Sequence, residues 1–136
     1  MKVQLNSVEG SFAFEAKNEK GHNYFFSGNG EGVSPMEALL MSAAGCSSID
    51  AELFLKKMRQ PLDKIEVEVE GKRSENPPKV FTDIHLKFTL YGDLDDKKVK
   101  KALDMSMNTY CSVSIMLGKA ANISYEYQIK VAETTS

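Results

Sequence analysis

The chain opens on alternation. Val3 and Leu5 are separated by polar residues, and Phe12, Phe14 and Ala16 recur at every second position. A period of two sends successive side chains to opposite faces, so both stretches predict half-buried β-strands. Tyr24 to Phe26 is a short aromatic run after the turn signal at Gly21, and predicts a third strand. Gly28-Asn29-Gly30-Glu31-Gly32 then places three glycines in five residues, which reads as a mobile or tightly turned loop.

The pattern changes at Ser34-Pro35. Ser34 suits the N-cap, and Pro35 suits the first helical position because the N–H it lacks would be unpaired there. Glu37 completes a capping box and lies favourably against the helix dipole. The helix is expected to run to about Arg59, since Pro61 disfavours helical backbone at Gln60. From Ala38 to Ile49 it carries no charge on any side. A helix apolar all round is expected to be buried all round, which makes this the central helix.

Alternation then returns. Ile65, Val67 and Val69 interleave with Glu66, Glu68 and Glu70, and Ser74-Glu75-Asn76-Pro77-Pro78 breaks the strand. Ile84, Leu86, Phe88 and Leu90 share one face of the next strand, with His85, Lys87 and Thr89 on the other. Such a pair is antiparallel with one wet face, and His85 reads as an exposed strand residue. Asp93 or Asp95 caps a helix carrying Val99, Ala102, Leu103 and Met107. Tyr110 to Leu117 begins or continues a helical run to about Ala121. Ile123, Tyr125, Tyr127, Ile129 and Val131 form the inward face of a last strand.

The order predicts an α+β fold, with antiparallel sheets around a long buried central helix. At 136 residues the chain is expected to be a single domain spanning 1–136. Six strands with one apolar face each are too little to enclose that helix. A homodimer sandwiching two such helices between two sheets resolves the shortage.

Composition narrows the function classes. With 42% hydrophobic and 26% charged residues the chain reads as folded. A net charge of −2 and a pI near 5.7 argue against a nucleic-acid partner. Lys97, Lys98, Lys100 and Lys101 follow Asp93, Asp95 and Asp96, as on a solvated helix face. The start of the chain lacks the apolar run of a signal peptide, and Ala38 to Ile49 is too short to span a bilayer. The expected setting is cytoplasmic, with no membrane partner.

Two cysteines do not make a disulfide framework, and His22 and His85 stand in no ligand spacing. No metal and no other cofactor is therefore expected. Cys46 shares a helix stripe with Leu39, Ala43, Asp50 and Leu53, among small residues that let another backbone or a substrate approach. Asp50, one turn on, would raise a nearby thiol's pKa. Cys111 falls near a helix start, where the dipole favours thiolate, and Ser112 and Ser114 stand ready to hydrogen-bond it. These residues leave two readings open: inert core cysteines, or a redox pair.

The segment Ser34-Pro35-Met36-Glu37-Ala38-Leu39-Leu40-Met41-Ser42-Ala43-Ala44-Gly45-Cys46-Ser47-Ser48-Ile49-Asp50, with Tyr110-Cys111-Ser112-Val113-Ser114 far downstream, resembles the OsmC/Ohr family. The likeness covers nearly the whole chain, because the element order fits too, and it is strongest to the YhfA-like branch. The resemblance implies an OsmC-like fold, an intertwined homodimer with sites at the subunit interface, and thiol-dependent reduction of organic hydroperoxides in oxidative stress defence. It implies that Cys46 attacks the peroxide and Cys111 resolves the sulfenic acid to a disulfide. Partners are then a small hydroperoxide and an unidentified thiol reductant. Met36, Leu39, Ser47, Asp50 and Tyr110 are the expected substrate pocket. Ohr-type members activate the thiol with an N-terminal arginine and a glutamate ten residues before the first cysteine. Here that position is Met36, Glu37 follows as the weaker catalytic candidate, and the arginines are Arg59 and Arg73. The alternative reading is a redox-responsive or small-molecule-binding OsmC-like protein with little peroxidase turnover.

Overall fold

The computed structural model describes residues 1–10 and 12–131. Its contacts divide the chain into two compact units, Met1–Leu39 and the chain from Leu40 onward.

In the first unit, β1 (Val3–Ser7), β2 (Ala13–Asn18) and β3 (Asn23–Ser27) form an antiparallel meander. Phe14 stands opposite Ser7 on one side and Phe26 on the other. Phe12, expected in β2, lies outside it with φ +62°, a left-handed conformation that ends the pairing. Asn18 Oδ1 closes the β2–β3 turn by accepting from the N–H groups of Lys20 (3.0 Å) and His22 (2.8 Å). The glycine-rich loop is tightly turned: the Ser27 N–H donates to the Val33 carbonyl at 2.9 Å, and Gly30 takes φ +85°. The capping box forms as expected. The Glu37 N–H donates to Ser34 Oγ (3.1 Å) and the Ser34 N–H to Glu37 Oε1 (2.9 Å). Helix α1 (Pro35–Lys57) begins there.

The second unit holds a sheet ordered β4–β5–β6. β4 (Leu62–Arg73) and β5 (Phe81–Gly92) pair antiparallel, as the alternation predicts. β6 (Asn122–Lys130) pairs with β5 in parallel, with Leu86 opposite Tyr125 and Phe88 opposite Tyr127. The expectation of wholly antiparallel sheets is thus corrected at this edge. The reason is the connection: α2 (Asp96–Met105), a π-helical turn (Ser106–Tyr110) and α3 (Ser112–Leu117) form a crossover that returns the chain to the same end.

Ile84, Leu86, Phe88 and Leu90 of β5 are fully buried, with Ala43, Ala51 and Leu55 of α1 and Val99, Ala102 and Leu103 of α2. Asp95 caps α2, accepting from the Lys98 N–H at 3.1 Å. Gly71 of β4 lies under the Phe81 ring and the Leu40 side chain. A Cβ there would stand 2.6 Å from Phe81.

Two further expectations are corrected. Helix α1 is not buried all round: Ala43, Ser47, Ala51 and Leu55 form its buried stripe, while Met41, Ile49 and Leu53 are exposed. One three-stranded sheet with α2 covers one side of a helix and no more. Val131 is exposed, because β6 ends at Lys130. By length and hydropathy α1 also meets the measure of a membrane-crossing helix, a test that core helices pass too.

Candidate redox site

The site forms where the crossover interrupts its helices. Ser106, the first residue of the π-helical turn and in line with the apolar stripe of α2, is fully buried and donates from Oγ to the Ser47 carbonyl of α1 at 3.1 Å. That turn closes with the Cys111 N–H on the Ser106 carbonyl (2.7 Å). Phe54 of α1 and Tyr110 add a tilted ring pair with centroids 5.1 Å apart. Cys111 then leaves the helical region (φ −73°, ψ 98°) and becomes the N-cap of α3.

That path brings Cys111 to Cys46. The two Sγ atoms and an Asp50 carboxylate oxygen all lie within 4.8 Å of one another. Cys46 is partly exposed and Cys111 fully buried; both are free thiols. Cys46 Sγ is 3.9 Å from Ser112 Oγ. Cys111 Sγ lies 3.2 Å from Ser114 Oγ and accepts from the Ser114 N–H at 3.4 Å.

The two thiols differ in acidity, in the order opposite to the one expected from the sequence. Burial pushes Cys46 up, but hydrogen bonds from the Val113 N–H, the Cys111 thiol and the Ser112 hydroxyl outweigh it. They also outweigh the repulsion of Asp50, and the net pKa is lowered. Burial pushes Cys111 up, the Ser114 bonds offset only part of it, and a Cys46 thiolate raises it further. The amide at the start of α3 therefore serves the thiol across from it. Cys111, the cap itself, stays protonated.

The expected site residues distribute unevenly. Cys46, Asp50 and Cys111 come together. Ser47 is buried and points its hydroxyl back at the Ala43 carbonyl (2.7 Å) of its own helix. Tyr110 is exposed beside Phe54. In the first unit Met36 is half-buried, Leu39 is partly exposed, and Glu37 is engaged in the capping box, which holds its carboxyl below the usual range. His85 sits on the polar face of β5 with Ser124 Oγ at 2.7 Å and Glu126 at 3.3 Å. Sequence reasoning missed Ser106 and the Val113 amide. A buried serine in an otherwise apolar stripe was the available signal for the first. A backbone amide leaves none.

A family model described as OsmC-like protein matches residues 28–126. The chain belongs to the OsmC-like family. A relative in this family, Protein YhfA of Escherichia coli strain K12, is 41% identical over 135 residues, covering 97% of this chain and 100% of the relative. Among solved structures, a hypothetical protein from Aquifex aeolicus VF5 matches with a TM-score of 0.88 at 31% identity, over 97% of each chain. The organic hydroperoxide resistance protein OhrB of Bacillus subtilis matches with a TM-score of 0.64 at 18% identity, over 93% of this chain and 96% of that one. That last likeness is one of fold.

Proposed function

We propose that the protein is a thiol-dependent hydroperoxide reductase in which Cys46 attacks and Cys111 resolves. The observation that carries this is the pairing of an accessible, acidified thiol with a buried, protonated one less than 4.8 Å away. The Cys46 thiolate attacks an oxygen of ROOH, the O–O bond breaks, and the alkoxide leaves as ROH after taking a proton. Cys46 becomes a sulfenic acid. The Cys111 sulfur then attacks the Cys46 sulfur, water leaves, and a disulfide forms. An external dithiol reduces it by exchange. The cycle needs a reducing compartment, which supports a cytoplasmic setting.

The functional unit in this reading is a homodimer. Met41, Ile49 and Leu53 leave one flank of α1 apolar and exposed, and Val3, Leu5 and Phe25 do the same in the first sheet. A second copy is the natural cover.

Reduced protein with a dithiol should consume tert-butyl hydroperoxide catalytically, and Cys46→Ser should abolish this. Cys111→Ser should stop at the sulfenic acid, trappable by dimedone. A second reading has its own support: the charge acting on Cys46 is the negative one of Asp50, which opposes the thiolate although the hydrogen bonds outweigh it. If peroxide yields the disulfide but no turnover, the protein is a redox-responsive or small-molecule-binding member. Two intact thiols after peroxide treatment would sink both.

A further inference from the structure

Cys46 Sγ, Cys111 Sγ and an Asp50 oxygen converge within 4.8 Å. Asp50 Oδ2 is buried and takes no hydrogen bond from the described residues. A buried carboxylate oxygen without a donor is unfavourable, and two neighbouring sulfurs, once ionised, repel it further. A cation relieves both. We propose that the reduced protein binds one zinc-class divalent cation through Cys46 Sγ, Cys111 Sγ and an Asp50 oxygen, with water in a fourth position.

The geometry is close to what such an ion needs. Tetrahedral zinc with Zn–S bonds of about 2.3 Å sets its sulfurs about 3.8 Å apart. The sulfurs therefore contract by no more than about 1 Å and the carboxylate oxygen by slightly more, a side-chain adjustment. Cys46 and Asp50 are one turn apart on α1, the spacing at which a helix presents two ligands on one face. Cys111 comes from non-helical backbone on the other side. Two thiolates and one carboxylate suit a borderline d10 ion, whereas magnesium and calcium prefer oxygen alone. The histidines, whose spacing set a metal site aside in the sequence, are not needed because the carboxylate supplies the third donor.

Binding releases the protons still held by the two thiols, and no electron moves. Disulfide formation consumes both sulfur ligands, so the ion and the disulfide exclude each other. Oxidation of the pair ejects the ion, and the ion shields the pair from peroxide. This site does not depend on turnover, and its test contains no peroxide.

Cobalt(II) is the probe, titrated into reduced protein without oxygen. The expected result is one ion per chain, sulfur-to-cobalt charge-transfer absorption in the near ultraviolet, tetrahedral visible bands, and displacement by zinc. Cys46→Ser and Cys111→Ser should each lose about half of the charge-transfer intensity or more. Asp50→Asn should keep that absorption while binding at least about 10-fold more weakly, the low end of the loss on removing even an outer-shell partner. The disulfide form should show no charge transfer. In the unmodified chain, saturating zinc should slow the reaction of both thiols with an aromatic disulfide reagent, a readout that does not rely on any variant folding. Cobalt binding without charge transfer, zinc affinity unchanged in Cys46→Ser, or thiol rates indifferent to zinc would each overturn the site. A protein that passes these tests yet leaves hydroperoxide intact overturns the proposed peroxidase and not the metal site.

Discussion

At Cys46, burial and the Asp50 charge act against ionisation, and three hydrogen-bond donors act for it. The donors win because two of them, the Val113 amide and the Ser112 hydroxyl, are fixed at the first turn of α3. Cys111 has comparable help from Ser114 but is wholly buried, and burial wins there. Iodoacetamide near neutral pH should therefore alkylate Cys46 first, read by mass spectrometry of the timed reaction. Its rate should rise with pH through a midpoint lower than that of an unperturbed thiol. Faster labelling of Cys111 would refute the assignment. No added cation is invoked for this order. Both cysteines were conspicuous in the sequence, but their ranking was not, because it depends on which sulfur the amide of α3 faces.

Among the elements, Gly71 and the β6 tyrosines carry measurable consequences. Gly71→Ala would put a Cβ 2.6 Å from the Phe81 ring and 3.1 Å from the Leu40 side chain, so the ring must move. A loss of about 1–3 kcal/mol is expected from such overpacking, read by chemical denaturation. Ser106→Ala removes a buried donor to the Ser47 carbonyl and should cost about 1 kcal/mol. Tyr127 is pushed up to about 12 by partial burial and by its hydrogen bond to Asp96. A pKa raised in the folded state gives stability that is present below the unfolded value, about 10, and lost as pH rises through about 12. Tyr127→Phe should flatten the fall of Tm across that alkaline window; an unchanged slope would mean the bond contributes nothing. Tyr125, held by Asp104, is raised further and acts in the same direction.

For the whole molecule, the exposed apolar flank of α1 is the fact that a single chain does not explain. Gly45 lies on that flank, and a Cβ there would meet nothing within 4 Å. Alanine at such a position should stabilise an isolated helix by about 1 kcal/mol. In the dimer reading the glycine serves close approach by a second helix, so Gly45→Ala should weaken association. Ile49→Lys should leave a monomer. Sedimentation equilibrium at micromolar concentration decides: a monomeric parent chain refutes the dimer.

The sequence by itself determined the elements and their boundaries to within a few residues, because periods of two and 3.6 and the Ser34–Glu37 capping box are local properties. It also determined that two thiols in these motif contexts belong to an OsmC-like chain. Only the tertiary structure decided the rest. The parallel seating of β6 follows from where the crossover delivers the chain. The meeting of Cys46, Asp50 and Cys111 follows from a π-helical turn anchored by one buried serine. The acidity order follows from burial and from a backbone amide, and neither has a residue letter to announce it.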